Sequence, residues 1–166
     1  MKQVQDPFEI LMHDRDEGIQ QVAKLQRSAE SIRLYGFFAE AFTAIVQVVE
    51  YVDTVLRKHD RIEEQYLFPL LEPYAGQSVR AMRESRRELW SAFTRLQEIV
   101  EEIEESKVTG NSIHELIEAS NDLARLLSAN LEDDHSILYP LSRQKLSPKE
   151  YAKLATDIAN SIHQPA

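Results

Sequence analysis

His59-Asp60-Arg61-Ile62-Glu63-Glu64-Gln65-Tyr66-Leu67-Phe68-Pro69 sets a histidine and a glutamate one helical turn apart, then runs into an apolar stretch that ends on proline. The same plan returns 71 positions later as Asn130-Leu131-Glu132-Asp133-Asp134-His135-Ser136-Ile137-Leu138-Tyr139-Pro140. In the second copy Asn130 stands for His59 and Asp134 for Glu63. The offset holds without a gap further back, matching Val22 with Phe93, Leu25 with Leu96, Val55 with Leu126 and Leu56 with Leu127. Apolar matches alone are weak, because any two amphipathic helices can be slid into phase. The distinctive part is Tyr66-Leu67-Phe68-Pro69-Leu70 against Ile137-Leu138-Tyr139-Pro140-Leu141. The pattern predicts one domain over residues 1–166 containing an internal repeat, approximately 7–70 and 78–141.

Working outward, the punctuation predicts an all-α, up-down-up-down four-helix bundle with a short C-terminal fifth helix. Asp6-Pro7-Phe8-Glu9 supplies an N-cap, a proline at the first helical position and a capping-box glutamate, so a first helix is expected from about Pro7 to Arg33. Gly36 marks the first turn. A second amphipathic stripe runs through Val48, Val52, Leu56 and Leu67 and is expected to end near Pro69, with residues 72–76 as the central connection. A third helix is expected over about 77–106 and a fourth from a Ser112/Glu115 capping box to Tyr139. Ser147-Pro148-Lys149-Glu150 caps the terminal helix, expected to reach about Ile162. No segment alternates with the period of a strand.

Composition narrows the chemistry. With 166 residues and 43% apolar content the chain can bury a sizeable core. A formal net charge of −9 argues against a nucleic-acid surface, which requires clustered Lys and Arg. The absence of cysteine excludes disulfides, thiolate metal sites and thiol catalysis. No apolar run has the length of a membrane span and the polar start carries no signal-peptide core, so a cytoplasmic protein is expected. No Ser/His/Asp arrangement, phosphate-binding glycine loop or zinc-peptidase motif is present.

His59 and Glu63 lie on the apolar stripe of the second helix, and Asn130 and Asp134 on that of the fourth. Both carboxylates are therefore expected to converge at one level of the core. Burying a carboxylate costs several kcal/mol unless a cation or donors face it. Metal or guanidinium would meet that need.

These residues resemble the hemerythrin-like (HHE cation-binding) domain family. The resemblance rests on the opening Asp6-Pro7-Phe8-Glu9-Ile10-Leu11, on Tyr51-Val52-Asp53-Thr54 leading to His59, Glu63, Glu64 and Leu67-Phe68-Pro69, and on Leu138-Tyr139-Pro140-Leu141. It implies a four-helix bundle with a non-haem di-iron centre, held by one histidine on each of the first and third helices and a His-x-x-x-Glu pair on each of the others. It also implies a role in dioxygen, nitric oxide or iron handling. Carried over residue by residue, His59 and Glu63 match fully and Asp134 conservatively, while Asn130 stands where a histidine belongs. In the apolar phase set by Leu11, Gly18, Val22 and Leu25, Arg15 takes the ligand level of the first helix and Arg86 that of the third, so both histidines there are expected to be arginines. His13, about half a turn from that phase, and His135, about 100° from Asp134, would be ligands only in a shifted register. Arg83 and Arg87 are expected on a solvated face.

The sequence thus predicts a degenerate metal site at His59, Glu63 and Asp134, holding none to two iron ions and no haem, with a metal ion or small diatomic molecule as partner and no nucleic acid or membrane. A non-enzymatic protein is favoured, and self-association is left open. The alternative is a metal-free scaffold or regulatory bundle in which Arg15 and Arg86 neutralise the carboxylates.

Overall fold

The computed structural model describes residues 6–162. Helix α1 (Pro7–Tyr35) starts at Asp6, whose carboxylate accepts a hydrogen bond from the Phe8 N–H at 3.0 Å. It stops at Gly36, whose φ of 86° is a left-handed conformation that glycine adopts without strain. The second rod is built from α2 (Ala39–Tyr51), a π turn at Val52–Leu56, α3 (Arg57–Ile62), a second π turn at Glu63–Leu67 and the beginning of α4 (Phe68–Glu104). The fourth comprises α5 (Gly110–Asp133), a π turn at Asp134–Leu138 and α6 (Tyr139–Lys145), and α7 (Pro148–Ile162) comes last. Helix α1 packs on α2 and α5, and α4 packs on α5. This is the all-helical, up-down-up-down bundle with a short fifth helix.

Two expected boundaries shift. The second rod does not end at Pro69. Helical structure continues through it and turns into the third rod at Ala75, where φ −150° and ψ 47° break the helix just after Pro73 has removed a backbone donor. The fourth rod begins earlier than the Ser112/Glu115 box implied, because Thr109 caps it and exchanges bonds with Ser112 in both directions. The expected cap of α7 forms, with Glu150 N–H donating to Ser147 Oγ at 3.2 Å and Ser147 N–H to Glu150 Oε1 at 3.0 Å.

The π turns explain why proline recurs inside these rods. Phe68 N–H bonds the Glu63 carbonyl and Tyr139 N–H bonds the Asp134 carbonyl, each a bond spanning five residues. The widened turn restarts the α-helix at Phe68 and Tyr139. Pro69 and Pro140 then fall in the first turn of a new segment, where a missing N–H breaks no ladder bond. These two π turns begin 71 residues apart.

The core falls into two apolar clusters. One contains Leu25, Ile45, Val52, Leu56, Phe93, Leu96, Leu123 and Leu127, and the other Phe8, Leu11, Leu67, Phe68, Leu71, Leu138, Tyr139 and Leu154. Every rod passes from one to the other through a polar level, and there the charged residues lie. The rods approach closely beside this level: a Cβ on Gly18 would stand 3.0 Å from Leu131 Cδ1.

Candidate metal centre

His59 and Glu63 leave adjacent turns of the second rod and are 1% and 0% exposed. Their side chains meet, Nε2 against Oε1. From the fourth rod Asp134, 5% exposed, brings Oδ2 to 3.4 Å from His59 Nε2. The two acids do converge in the interior. Arg86 enters from the third rod, its Nη2 lying 3.2 Å from Glu63 Oε2, 3.3 Å from Asp134 Oδ1 and 3.9 Å from Asp60 Oδ1. The guanidinium also covers the Phe68 ring at 4.6 Å.

The first rod contributes a different residue from the one anticipated. Arg15 does not reach the buried carboxylates. Its Nε donates to the Leu131 carbonyl at 3.2 Å and its Nη2 to Glu132 at 3.2 Å, on the outside of the fourth rod. Asp14 faces the site instead, with Oδ2 3.5 Å from His59 Nδ1. Positions 14 and 15 both lie between buried Leu11 and Gly18, one at i+3 and the other at i+4. Helix α1 turns the i+3 residue inward, whereas α4, between buried Met82 and Leu89, turns in Arg86 at i+4. His13 is exposed and lies 3.5 Å from Glu17. His135 is exposed as well, so the ordinary register holds and neither reserve ligand reaches the centre. Asn130 turns back on its own helix, donating from Nδ2 to the Leu126 carbonyl at 3.0 Å.

Two further groups escaped the sequence reading. Asp60 flanks the site and accepts from Trp90 Nε1 at 3.0 Å. Tyr139, which the pattern marks only as apolar, places its hydroxyl 3.3 Å from His59 Nε2. The π turn at Asp134–Leu138 sets Tyr139 at the end of a five-residue backbone bond from Asp134. A proline one residue further on was the available signal.

Mutual electrostatics dominate this level. Burial alone would lower the His59 pKa, but the charge of Glu63 and hydrogen bonds with Asp134, Asp14 and Glu63 hold it well above the ordinary imidazole value. Burial and the Glu63 charge push Asp134 up, with His59 and Arg86 pulling the other way. Asp60 is also raised, by burial first, against the charges of Arg86 and His59. Burial with the charges of Glu63 and Asp134 keeps Tyr139 a neutral phenol, far above its usual range. Among the described residues both Glu63 oxygens and His59 Nδ1 are buried without a hydrogen bond, since the ion-pair contacts around them lack its geometry. His59, Asp60 and Glu63 each offer a ligand atom within 4.8 Å of the others, a grouping able to hold a metal ion.

Against this geometry, the family model for the hemerythrin HHE cation-binding domain matches residues 6–142. This chain belongs to the hemerythrin family. The match covers all four rods, so membership in the HHE cation-binding domains extends over both charged helix pairs and not only the His59 segment. No curated protein matches the chain's sequence. No helix among the described residues is long and apolar enough to cross a membrane.

Proposed function

We propose that this hemerythrin-family chain holds one metal cation, at His59, Glu63 and Asp134, and that Arg86 takes the place of a second. The observation that carries this reading is the position of Arg86, one nitrogen of which lies 3.2 Å from Glu63 and 3.3 Å from Asp134. A fixed positive charge in contact with both carboxylates repels a second cation and occupies their outer oxygens. Asn130 is committed to Leu126 and offers no replacement imidazole.

One cation fits the remaining groups. An imidazole, two or three carboxylates and a nearby phenol suit a first-row divalent or trivalent ion, and iron is the ion that the family favours. The bare oxygens of buried Glu63 are what such an ion would complete. Iron bound there would supply one-electron redox chemistry and a position for a small diatomic ligand. The residues of the chain would orient it: Asp14 beside His59 Nδ1 sets the imidazole, leaving Nε2 toward the carboxylates. We infer a role in oxygen, nitric oxide or iron response rather than catalysis. The same 71-residue spacing of the two π turns supports descent from a duplicated helix pair.

Elemental analysis after iron-rich growth and after reconstitution with Fe(II), Mn(II) or Zn(II) tests the stoichiometry. About one equivalent, lost in Glu63→Ala and Asp134→Ala, is the expected result. Two equivalents would refute the substitution of metal by Arg86. No metal under any loading condition would favour a second reading, a metal-free bundle in which Arg86 and His59 neutralise the acids, for which the Arg86 ion pairs also speak.

A further inference from the structure

Outside the buried centre, a cleft of about 600 Å³ opens between α3 and the third rod. Arg57 and Arg61 line it from α3, and Arg83, Arg86, Arg87 and Trp90 from α4. In a chain with 19 Lys and Arg against 28 Asp and Glu, gathering five arginines around one hollow is a concentration that the composition does not require. Arg57 and Arg61 are one turn apart, as are Arg83 and Arg87, so like charges adjoin on each wall and face each other across the gap. Such pairs repel.

Neutralisation inside the cleft is partial. Arg57 pairs with Asp53 at 2.8 Å and lies over the Trp90 ring at 4.2 Å, which fixes its guanidinium at the wall. Arg83 is held by Glu64 and Glu72. Arg61 and Arg87 have neither an ion pair nor a hydrogen bond among the described residues. Elsewhere arginines meet acids: Arg33 meets Glu30, Arg95 meets Asp122 and Arg143 meets Asp6. Two free forked donors over a floor of held ones form a receptor for oxygen-rich anions, and the volume is that of a small-molecule site. The net charge of −9 disfavours an extended polyanion, whereas a compact one fits within the hollow.

The geometry points to a binding site for a small, multiply charged oxyanion, a phosphate ester or a polycarboxylate, in the Arg61/Arg87 cleft. Trp90 is the only tryptophan and lies in the wall, so its fluorescence reports occupancy directly. Tripolyphosphate and citrate are titrated in parallel at constant ionic strength. A saturable change in Trp90 emission is expected with a midpoint below about 1 mM for at least one of them, the tighter identifying phosphate or carboxylate as the group recognised. Arg61→Ala with Arg87→Ala should weaken it at least ~10-fold, with an unchanged melting temperature. Arg27→Ala, on the exposed side of α1, should leave it unaltered. Should the double variant unfold, Arg87→Ala alone carries the same expectation. The proposal is overturned if neither anion saturates, or if the Arg27 variant weakens binding as much as the cleft variants.

Discussion

Replacing Arg86 with methionine keeps a long side chain against Phe68 and removes the one permanent cation at the polar level. In the native chain the guanidinium lies 3.2 Å from Glu63 and 3.3 Å from Asp134, and its side chain is 8% exposed. At an effective dielectric of ~20 each contact is worth on the order of 5 kcal/mol, set against a desolvation cost of several kcal/mol for every ion buried. The net worth of the arrangement is therefore small, but removal of one partner strands two acids that only His59 can then offset. The expected loss is about 3–5 kcal/mol, as for other broken buried pairs. For a domain of this size that lowers Tm by roughly 6–20 °C. Circular dichroism melts in chelator, which keeps metal from substituting for the missing charge, measure it. Adding Glu63→Gln and Asp134→Asn to Arg86→Met should recover most of the loss, because the stranded charges are then gone. A Tm for Arg86→Met within about 2 °C of the native chain would refute the assignment of Arg86 as the neutralising group.

Three further outcomes are expected. Arg86→His combined with Asn130→His adds two imidazoles at the polar level and should raise metal uptake from about one equivalent toward two, read by elemental analysis after reconstitution. Asp6→Ala removes the α1 cap and the bonds from Tyr151 and Arg143, costing about 1 kcal/mol or roughly 2–4 °C at pH 7. Burial raises the Asp6 pKa, but the bonds from Phe8, Tyr151 and Arg143 outweigh it and leave the folded value below the ordinary one. The stabilisation is thus complete above the unfolded value of about 3.9 and disappears as the pH falls through the folded one, so the two melting curves should merge in strong acid. A gap that persists at pH 2 would contradict that origin. Gly18→Val, finally, should destabilise by about 1–3 kcal/mol, because even its Cβ meets Leu131 at 3.0 Å, and denaturant unfolding measures it.

Much of the centre was legible because helical spacing is strict. His59 and Glu63 share a face at i and i+4, and the 71-residue echo carried that face to Asp134. Arg86 followed from the phase of Met82 and Leu89. The same argument failed on the first rod, since Leu11 and Gly18 bracket Asp14 and Arg15 equally and only packing decides which turns inward. Asp60 was passed over because it sits 100° from His59, on a flank that becomes polar interior only when Trp90 and Arg86 close over it. The π turns left no periodic trace, so Tyr139 was assigned to the core without a role for its hydroxyl.

Those widened turns make residue count at the centre a constraint of its own. Deleting a single residue from Glu63–Leu67 or Asp134–Leu138 would restore an ordinary ladder and swivel the downstream helix by about 100°. Tyr139 would then swing away from His59, and Leu138 out of its apolar cluster. The bundle can trade one donor for another here, as Arg86 and Asn130 illustrate, yet it tolerates no change in length; in these two stretches substitutions are chemistry and gaps are mechanics.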